Sequence, residues 1–184
     1  LFASLESDAR LVRPANYPDT APGQGYTILD AKGYRLLVGN LLGRVHMEPP
    51  LDSPFTAADR ILAREEGKYD FAFFDFHAEA TGEKTALAAY LDGRVSALYG
   101  THTHVPTADT RVLPKGTGYV TDLGMTGPVN GILGTDAEAV LTKMRTHMPV
   151  RFTVADGPIE AQGVLFTLED REPYRCLKAE RVTF

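Results

Sequence analysis

Residues 69–76, YDFAFFDF, form a short, nearly continuous apolar run that decides the fold. Such a run is typical of a β-strand buried on both faces, as strands of parallel sheets are. Residues 81–91 follow with the spacing of a helix, and residues 96–100, SALYG, form a second short apolar run. This strand–helix–strand succession predicts a right-handed crossover and a pair of parallel strands.

Further elements are predicted upstream of this unit. Residues 26–29 and 35–41 are apolar runs on either side of Lys32-Gly33, which predicts a hairpin. Ser53-Pro54 predicts the start of a helix, because proline is favoured at the first helical position. The upstream segment therefore adds a hairpin and a helix to the central sheet.

The last third of the chain has a different pattern. A strand is predicted at residues 119–122, and Thr135-Asp136-Ala137-Glu138 matches a capping box that opens a helix. An antiparallel meander is predicted from three further apolar runs, at residues 152–155, 163–167 and 176–183. The predicted fold class is α/β with a mixed sheet, in one domain of residues 1–184.

Composition limits the classes of function. The net charge of −5 and the absence of a Lys/Arg cluster argue against stable DNA or RNA binding, which depends on neutralising phosphates. The single cysteine excludes a disulfide framework. The apolar runs are too short to span a bilayer, so no membrane association is expected and a cytoplasmic location is the default expectation.

Three of the five histidines follow the two predicted parallel strands. His77 comes directly after residues 69–76, while His102 and His104 come just after residues 96–100. Sites of open α/β sheets form at the carboxyl ends of strands, so the three imidazoles converge if the strands are neighbours. In an extended segment side chains two residues apart point the same way, which lets His102 and His104 face one or two metal ions. The pattern predicts a metal centre.

Other polar residues are candidates for supporting roles. Glu79 and Asp122 lie where they could hydrogen-bond a ligating imidazole, and Asp75 alternates with His77 along its strand. A surface or capping role is the alternative for each carboxylate. Asn16, in a loop bracketed by prolines, is a candidate for substrate binding, with a turn-forming asparagine as the alternative. His46 and His147 have no comparable context and are not expected to be ligands.

Several motifs together resemble the YmdB-like branch of the calcineurin-like metallophosphoesterases. They are FDFHAEAT, GTHTHV and TDLGMTG at residues 74–81, 100–105 and 121–127, with RPANYP and LPKGT at residues 13–18 and 113–117. The resemblance implies a four-layer α/β/β/α sandwich that binds two divalent metal ions, of iron, manganese or zinc. It also implies hydrolysis of small phosphodiesters, with 2′,3′-cyclic nucleotides as the substrate class and a metal-bound hydroxide as the nucleophile. By position, His77 and His102 would serve one metal and His104 the other.

The chain lacks other motifs of that family. An Asp-bearing first strand, an Asn-Gly-Glu-Asn segment and a Gly-Asn-His motif do not occur, and Gly39-Asn40 is followed by Leu41. The chain is therefore expected to lack the first strands and helices of the domain, with the absent strands lying beside residues 69–76 or their neighbours. The histidine that acts as general acid is expected upstream of Leu1. On this interpretation the chain itself supplies no catalytic residue and is inactive alone.

Two alternatives belong to other classes. A barrel amidohydrolase also uses His-x-His at a strand end, but it needs further metal ligands on later strands, and only His147 follows here. A non-catalytic regulator that binds a metal or a nucleotide stays open. A homo-oligomer is compatible with either function. Phosphodiesterase activity with and without added metal distinguishes enzyme from regulator.

Overall fold

The computed structural model describes residues 2–184, except for the side chain of Phe2. The helices within this range are α1 (Phe2–Ser7), α2 (Pro54–Arg64), α3 (Thr81–Leu91) and α4 (Ala137–Thr146). The strands are β1 (Tyr26–Ala31), β2 (Tyr34–Leu42), β3 (Phe71–His77), β4 (Ala97–Thr101), β5 (Arg111–Val112), β6 (Gly118–Val120), β7 (Thr126–Pro128), β8 (Ile159–Leu168) and β9 (Cys176–Thr183). None of the helices formed by residues 2–184 has the length and apolar character needed to cross a membrane.

A six-stranded mixed sheet is the centre of the fold, with the order β1-β2-β3-β4-β6-β5. The β2–β3, β3–β4 and β4–β6 pairs are parallel, while β1 and β5 join antiparallel at the two edges. The predicted β3–α3–β4 unit with parallel strands and the predicted β1–β2 hairpin are therefore confirmed. The prediction that absent strands lie beside β3 or its neighbours is wrong, because β2, β3 and β4 each have a strand of this chain on both sides.

The two faces of this sheet are covered differently. Phe74, Leu98 and Tyr119 are fully buried in one cluster with Leu87 and Leu91 of α3. The opposite face of β6 meets a second sheet, because a side chain at Gly118 would collide with Phe166 of β8. This second sheet has three antiparallel strands in the order β7-β8-β9. The α/β fold with a mixed sheet is confirmed, with two sheets packed face to face.

Two predictions for the last third were wrong. Residues 152–155 do not form a strand of the meander; Val154 makes only an isolated bridge to Thr135. The reason is that both sides of β8 are already occupied, by β7 and β9. The helix cap is also displaced by one residue, since Thr135 is held in backbone bridges and Asp136 accepts the Ala139 N–H instead.

Candidate metal centre

The carboxyl ends of β3 and β4 bring two of the predicted ligands together. His77 is the last residue of β3 and lies in register with Thr101, the last residue of β4, so His102 follows at the same edge. The Nδ1 atom of His102 lies 3.0 Å from the Nε2 atom of His77. The ring centroids are 4.8 Å apart and the rings are perpendicular. One nitrogen of each ring therefore faces the other ring.

A chain of hydrogen bonds fixes the orientation of His77. Asn40 on β2 donates to one carboxylate oxygen of Asp75 at 2.8 Å, and the Thr101 hydroxyl donates to the other at 2.7 Å. Because the Thr101 hydrogen is used in this way, its oxygen accepts from Nδ1 of His77, 3.1 Å away. His77 therefore carries its proton on Nδ1, which leaves the Nε2 lone pair free to face His102.

Glu79 performs the corresponding function for His102. Its Oε2 atom lies 3.1 Å from Nε2 of His102, on the side of the ring away from His77. A carboxylate that binds one ring nitrogen of an imidazole orients the other nitrogen and raises its basicity toward a metal. Both imidazoles are thus held from outside, which leaves Nε2 of His77 and Nδ1 of His102 facing each other.

Burial shifts the pKa values of His77 and Asp75. Burial lowers the pKa of His77, and the neighbouring His102 lowers it further, so the neutral imidazole that a metal requires is favoured. Burial raises the pKa of Asp75, while the hydrogen bonds from Thr101 and Asn40 oppose that rise. The lowered pKa of His77 therefore favours the neutral form, which is the form that binds a metal.

The donor set fits part of a metal centre. Two nitrogens 3.0 Å apart can both bind one ion through bonds of ~2.0–2.1 Å, the usual length for imidazole and zinc. Within residues 2–184, however, no three His, Cys, Asp or Glu side chains are grouped so that they could hold an ion. His77 and His102 could therefore supply two ligands, and a complete cage needs further donors.

The segment that carries His102 and His104 is a strained turn. The φ angles of the two histidines are +109° and +64°, in the region that residues other than glycine rarely adopt. The premise that this segment is extended was therefore wrong, and alternation does not place both side chains on one face. Such backbone conformations cost ~1–3 kcal/mol each and persist only where the surroundings impose them.

A buried ion pair imposes this turn. The Asp122 carboxylate accepts the backbone N–H of Thr103 at 3.0 Å, between the two histidines, and that of Gly124 at 3.0 Å. Lys84 of α3 binds the same carboxylate at 3.0 Å, and the two side chains are 1% and 0% exposed. Burial acts to raise the pKa of Asp122, but these hydrogen bonds outweigh it and hold that pKa below its ordinary value. Asp122 thus acts on the histidine turn through the backbone, with Lys84 as its counter-ion.

His104 lies apart from this network, at the surface. It is exposed and contributes to the walls of two adjacent cavities, of about 320 and 590 Å³. The larger cavity is also lined by Leu133, Phe152 and His147, the residue that follows α4. His147 therefore shares a cavity with a predicted ligand, whereas His46 lies in the exposed loop after β2.

Asn16 is fully buried and makes three hydrogen bonds to the backbone. Its amide nitrogen donates to the carbonyls of Leu42 and Asp52, and its oxygen accepts the Leu42 N–H. These contacts hold the end of β2 to the segment before α2. They reach 26 and 36 residues along the chain, so they connect distant segments and do not form a local turn, and substrate binding by Asn16 stays a prediction.

Three supporting residues were missed in the sequence. Asn40 carried a detectable signal, since it is the polar residue inside the apolar strand YRLLVGNLL of β2. Thr101 could only be assigned to the turn, because its hydrogen bond to Asp75 requires the strand register. Lys84 gave no signal, because a lone lysine in a helix ordinarily faces solvent.

Comparisons with known proteins identify the family. The sequence profile of the family described as YmdB-like protein matches residues 1–182. A Bacillus subtilis (strain 168) protein named 2′,3′-cyclic-nucleotide 2′-phosphodiesterase is 50% identical over 182 residues, which are 99% of this chain and 68% of that protein. The crystal structure of a hypothetical protein from Thermus thermophilus superposes with a TM-score of 0.90 at 45% identity, over 100% of this chain and 70% of that one. That of a novel phosphatase from Mycoplasma pneumoniae gives 0.89 at 31% identity, over 100% and 66%.

These matches extend over almost the whole chain. The chain spans about two thirds of the length of each of the three relatives. The profile match covers nearly all of it, from the first residue to the last strand. The chain belongs to the YmdB-like family.

Proposed function

We propose that this protein is a metal-dependent phosphodiesterase whose substrate class is the 2′,3′-cyclic nucleotides. The observation that carries the proposal is the pair of imidazole nitrogens 3.0 Å apart at the edge of the parallel sheet, each on a ring oriented by its other nitrogen. The name of the Bacillus subtilis relative, at 50% identity, supports the reaction and the substrate class.

His77 and His102 are proposed to hold one divalent ion. Thr101 and Asp75 keep the proton of His77 on Nδ1, and Glu79 keeps the other imidazole aligned. When bound, divalent ions stabilise charge on the phosphoryl oxygens and lower the pKa of a water molecule that serves as nucleophile. Imidazole donors suit iron and zinc, and manganese is compatible when carboxylates complete the cage.

His104 is proposed to hold a second ion. It lies two residues beyond His102, on the turn that Asp122 fixes. The adjacent cavities give room for a substrate, since small-molecule sites typically enclose ~300–1,000 Å³ and the larger of the two has about 590 Å³. Leu133 and Phe152 in its wall offer apolar surface to a nucleobase.

Hydrolysis assays test the proposal directly. The full-length protein is stripped with a chelator, reconstituted with manganese, iron or zinc, and assayed with 2′,3′-cyclic AMP and bis-p-nitrophenyl phosphate. We expect turnover that depends on added metal, is lost in His102→Ala and is retained in His147→Ala. Turnover that survives chelation would contradict a metal mechanism. Binding of metal and cyclic nucleotide without turnover would favour a regulatory protein.

A further inference from the structure

Residues 129–158 form an excursion between two paired strands of the three-stranded sheet. The two ends of the excursion are joined, because β7 pairs with the beginning of β8 and the Val129 N–H donates to the Pro158 carbonyl at 3.0 Å. Within the excursion, the Ala155 N–H donates to the Gly134 carbonyl at 2.9 Å. The excursion contains α4 and is a small unit closed by its own hydrogen bonds.

The apolar side chains of this excursion are not packed into a core. Val140 alone of the α4 residues is buried, whereas Leu133, Met144 and Phe152 are 53%, 67% and 46% exposed. These three exposed side chains line the cavity of about 590 Å³ whose wall includes His104. A ligand in this cavity therefore has direct access to them, and a mainly apolar lining with a few polar groups is typical of small-molecule sites.

An aromatic ring and an ammonium group lie side by side in this cavity. Phe152 supplies the ring, and the Nζ atom of Lys143 lies 4.9 Å from its centre. The ion pairs formed within residues 2–184 do not include Lys143, so no carboxylate holds its three N–H donors. The cavity thus offers a surface for stacking and a group that donates hydrogen bonds and accepts none.

The smaller cavity beside His104 is a poorer place for a base. It is lined by Glu160 and Gln162, and the residues that line it include no phenyl or phenol ring. The larger cavity contains the aromatic side chain, and His104 connects it to the proposed metal centre. A nucleotide whose phosphate lies at the histidines therefore has its base on the side of Phe152.

We propose that this cavity selects purine nucleoside 2′,3′-cyclic phosphates over pyrimidine ones, with Phe152 stacked on the base and Lys143 donating to N7 of the purine. The inference rests on the proposed function, which brings the phosphate to the histidines. Stacking on an aromatic side chain favours the two-ring purines, which overlap more of its surface than a single ring does. Both purines carry the N7 acceptor, whereas cytosine presents an amino donor, which an ammonium group cannot accept. Uracil has an acceptor but lacks the second ring.

Steady-state kinetics of the full-length, metal-loaded protein test the selection. The substrates are the 2′,3′-cyclic phosphates of the four common nucleosides and ribose 2,3-cyclic phosphate, which has no base. We expect kcat/KM for the two purine substrates to exceed that for the pyrimidine ones roughly tenfold, a difference within the range of base–aromatic stacking. Phe152→Ala should remove most of this preference by raising KM for the purines, and Phe152→Tyr, which keeps the ring, should preserve it.

Lys143→Met tests the hydrogen bond separately from the stacking. It should reduce the preference for purines over cytosine more than the preference over uracil, because uracil also presents an acceptor to the ammonium group. Arg145→Met is the matched control on the same helix, since Arg145 is exposed and is not among the residues that line the cavity. Lys143 is exposed too, so Lys143→Met is expected to fold normally and keeps the test valid if Phe152→Ala does not fold.

The outcomes separate this proposal from the proposed function. Equal kcat/KM for purine and pyrimidine substrates would overturn the selection, as would a preference that persists in both Phe152→Ala and Lys143→Met. Hydrolysis of ribose 2,3-cyclic phosphate as efficient as that of the nucleotides would show that the base is not bound, while the phosphodiesterase function stands. Absence of hydrolysis with all five substrates would overturn the proposed function, and the selection with it.

Discussion

The two sheets of this protein differ in how they are buried. Every residue of the main hydrophobic cluster lies between Leu37 and Tyr119, in β2, β3, β4, β6, the two helices that cover them and the loops between these elements. In the three-stranded sheet, by contrast, Ile159, Leu165 and Leu177 are 70%, 55% and 59% exposed. The six-stranded sheet is thus a close-packed support, while the three-stranded sheet is a partly solvated layer laid against it.

This difference explains where the candidate metal centre lies. Ligand geometry must be held to fractions of an ångström, which requires side chains fixed by packing and by supporting hydrogen bonds. His77 and His102 stand at the end of the buried strands β3 and β4 and are oriented by Thr101 and Glu79. The three-stranded sheet contributes walls, with Glu160 and Gln162 lining the smaller cavity beside His104.

The largest expected effect separates His102, which follows β4, from His147, which follows α4. His102→Ala removes a proposed ligand, so activity should fall by more than the ~10–100-fold that loss of a supporting residue costs. Metal content, measured by plasma mass spectrometry, should fall with it. His147→Ala should leave both unchanged, although His147 lines a cavity with His104. Equal losses in the two variants would contradict the assignment of His102 as a ligand.

The buried ion pair is expected to give the next largest effect. Lys84→Met leaves the Asp122 carboxylate uncompensated, which should lower the free energy of unfolding by ~3–5 kcal/mol in urea titrations. The exposed pair Lys178–Glu180 of β9 provides the control, because Lys178→Met should cost ~1 kcal/mol or less.

A double substitution at Lys84 and Asp122 separates the effect of the ion pair on stability from its effect on the histidine turn. Lys84→Met with Asp122→Leu replaces both charges by apolar groups and should recover part of the stability, although the Thr103 and Gly124 N–H groups lose their acceptor. It still removes the acceptor of the Thr103 N–H, so the histidine turn stays unsupported and metal affinity should remain low. Recovery of metal affinity along with stability would mean that the pair acts on the fold alone.

A matched pair of leucines compares the two sheets directly. Leu37 of β2 is fully buried, and Leu37→Ala should lower the free energy of unfolding by ~2–5 kcal/mol. Leu165 of β8 is 55% exposed, and Leu165→Ala should change it by ~0.5 kcal/mol or less. Urea unfolding of both variants measures the difference. Similar losses would show that the three-stranded sheet is buried in solution.

The sequence predicted the six-stranded sheet better than the three-stranded one, for a physical reason. Residues of β3 and β4 are buried on both sides, so continuous apolar runs identify them regardless of register. In the last third of the chain, the prediction of strands depends on which segments pair with the two sides of β8. Residues 152–155 had a strand pattern, but Thr126–Pro128 occupies that place. Short edge strands such as β7 have too few residues to give a pattern.

The sequence predicted the residue types of the candidate site but not its local geometry. His77 and His102 followed from their places at the ends of two predicted neighbouring strands. The turn at His102 and His104 did not, because positive φ angles in histidines result from tertiary contacts. Lys84 lies 38 residues from Asp122, and no local pattern links the two. Contacts across such separations exist only once the fold is formed.

The smallest expected effect concerns one hydroxyl group. Thr101 accepts from Nδ1 of His77 and donates to Asp75, so Thr101→Val, which has nearly the same shape, removes both hydrogen bonds. His77 then loses the contact that keeps its proton on Nδ1, and metal affinity should fall by ~10–100-fold, the usual cost of losing such a partner.

Thr101→Ser keeps the hydroxyl and should retain most of the affinity. Thr167→Val, at an exposed position of β8, should have no effect, since that strand supplies no partner to the histidines. Competition titration with a chromophoric chelator measures all three variants. If Thr101→Val binds metal as tightly as the unsubstituted protein does, the ends of β3 and β4 hold His77 in position without help from the hydroxyl group. The difference between the two sheets would then result from packing alone.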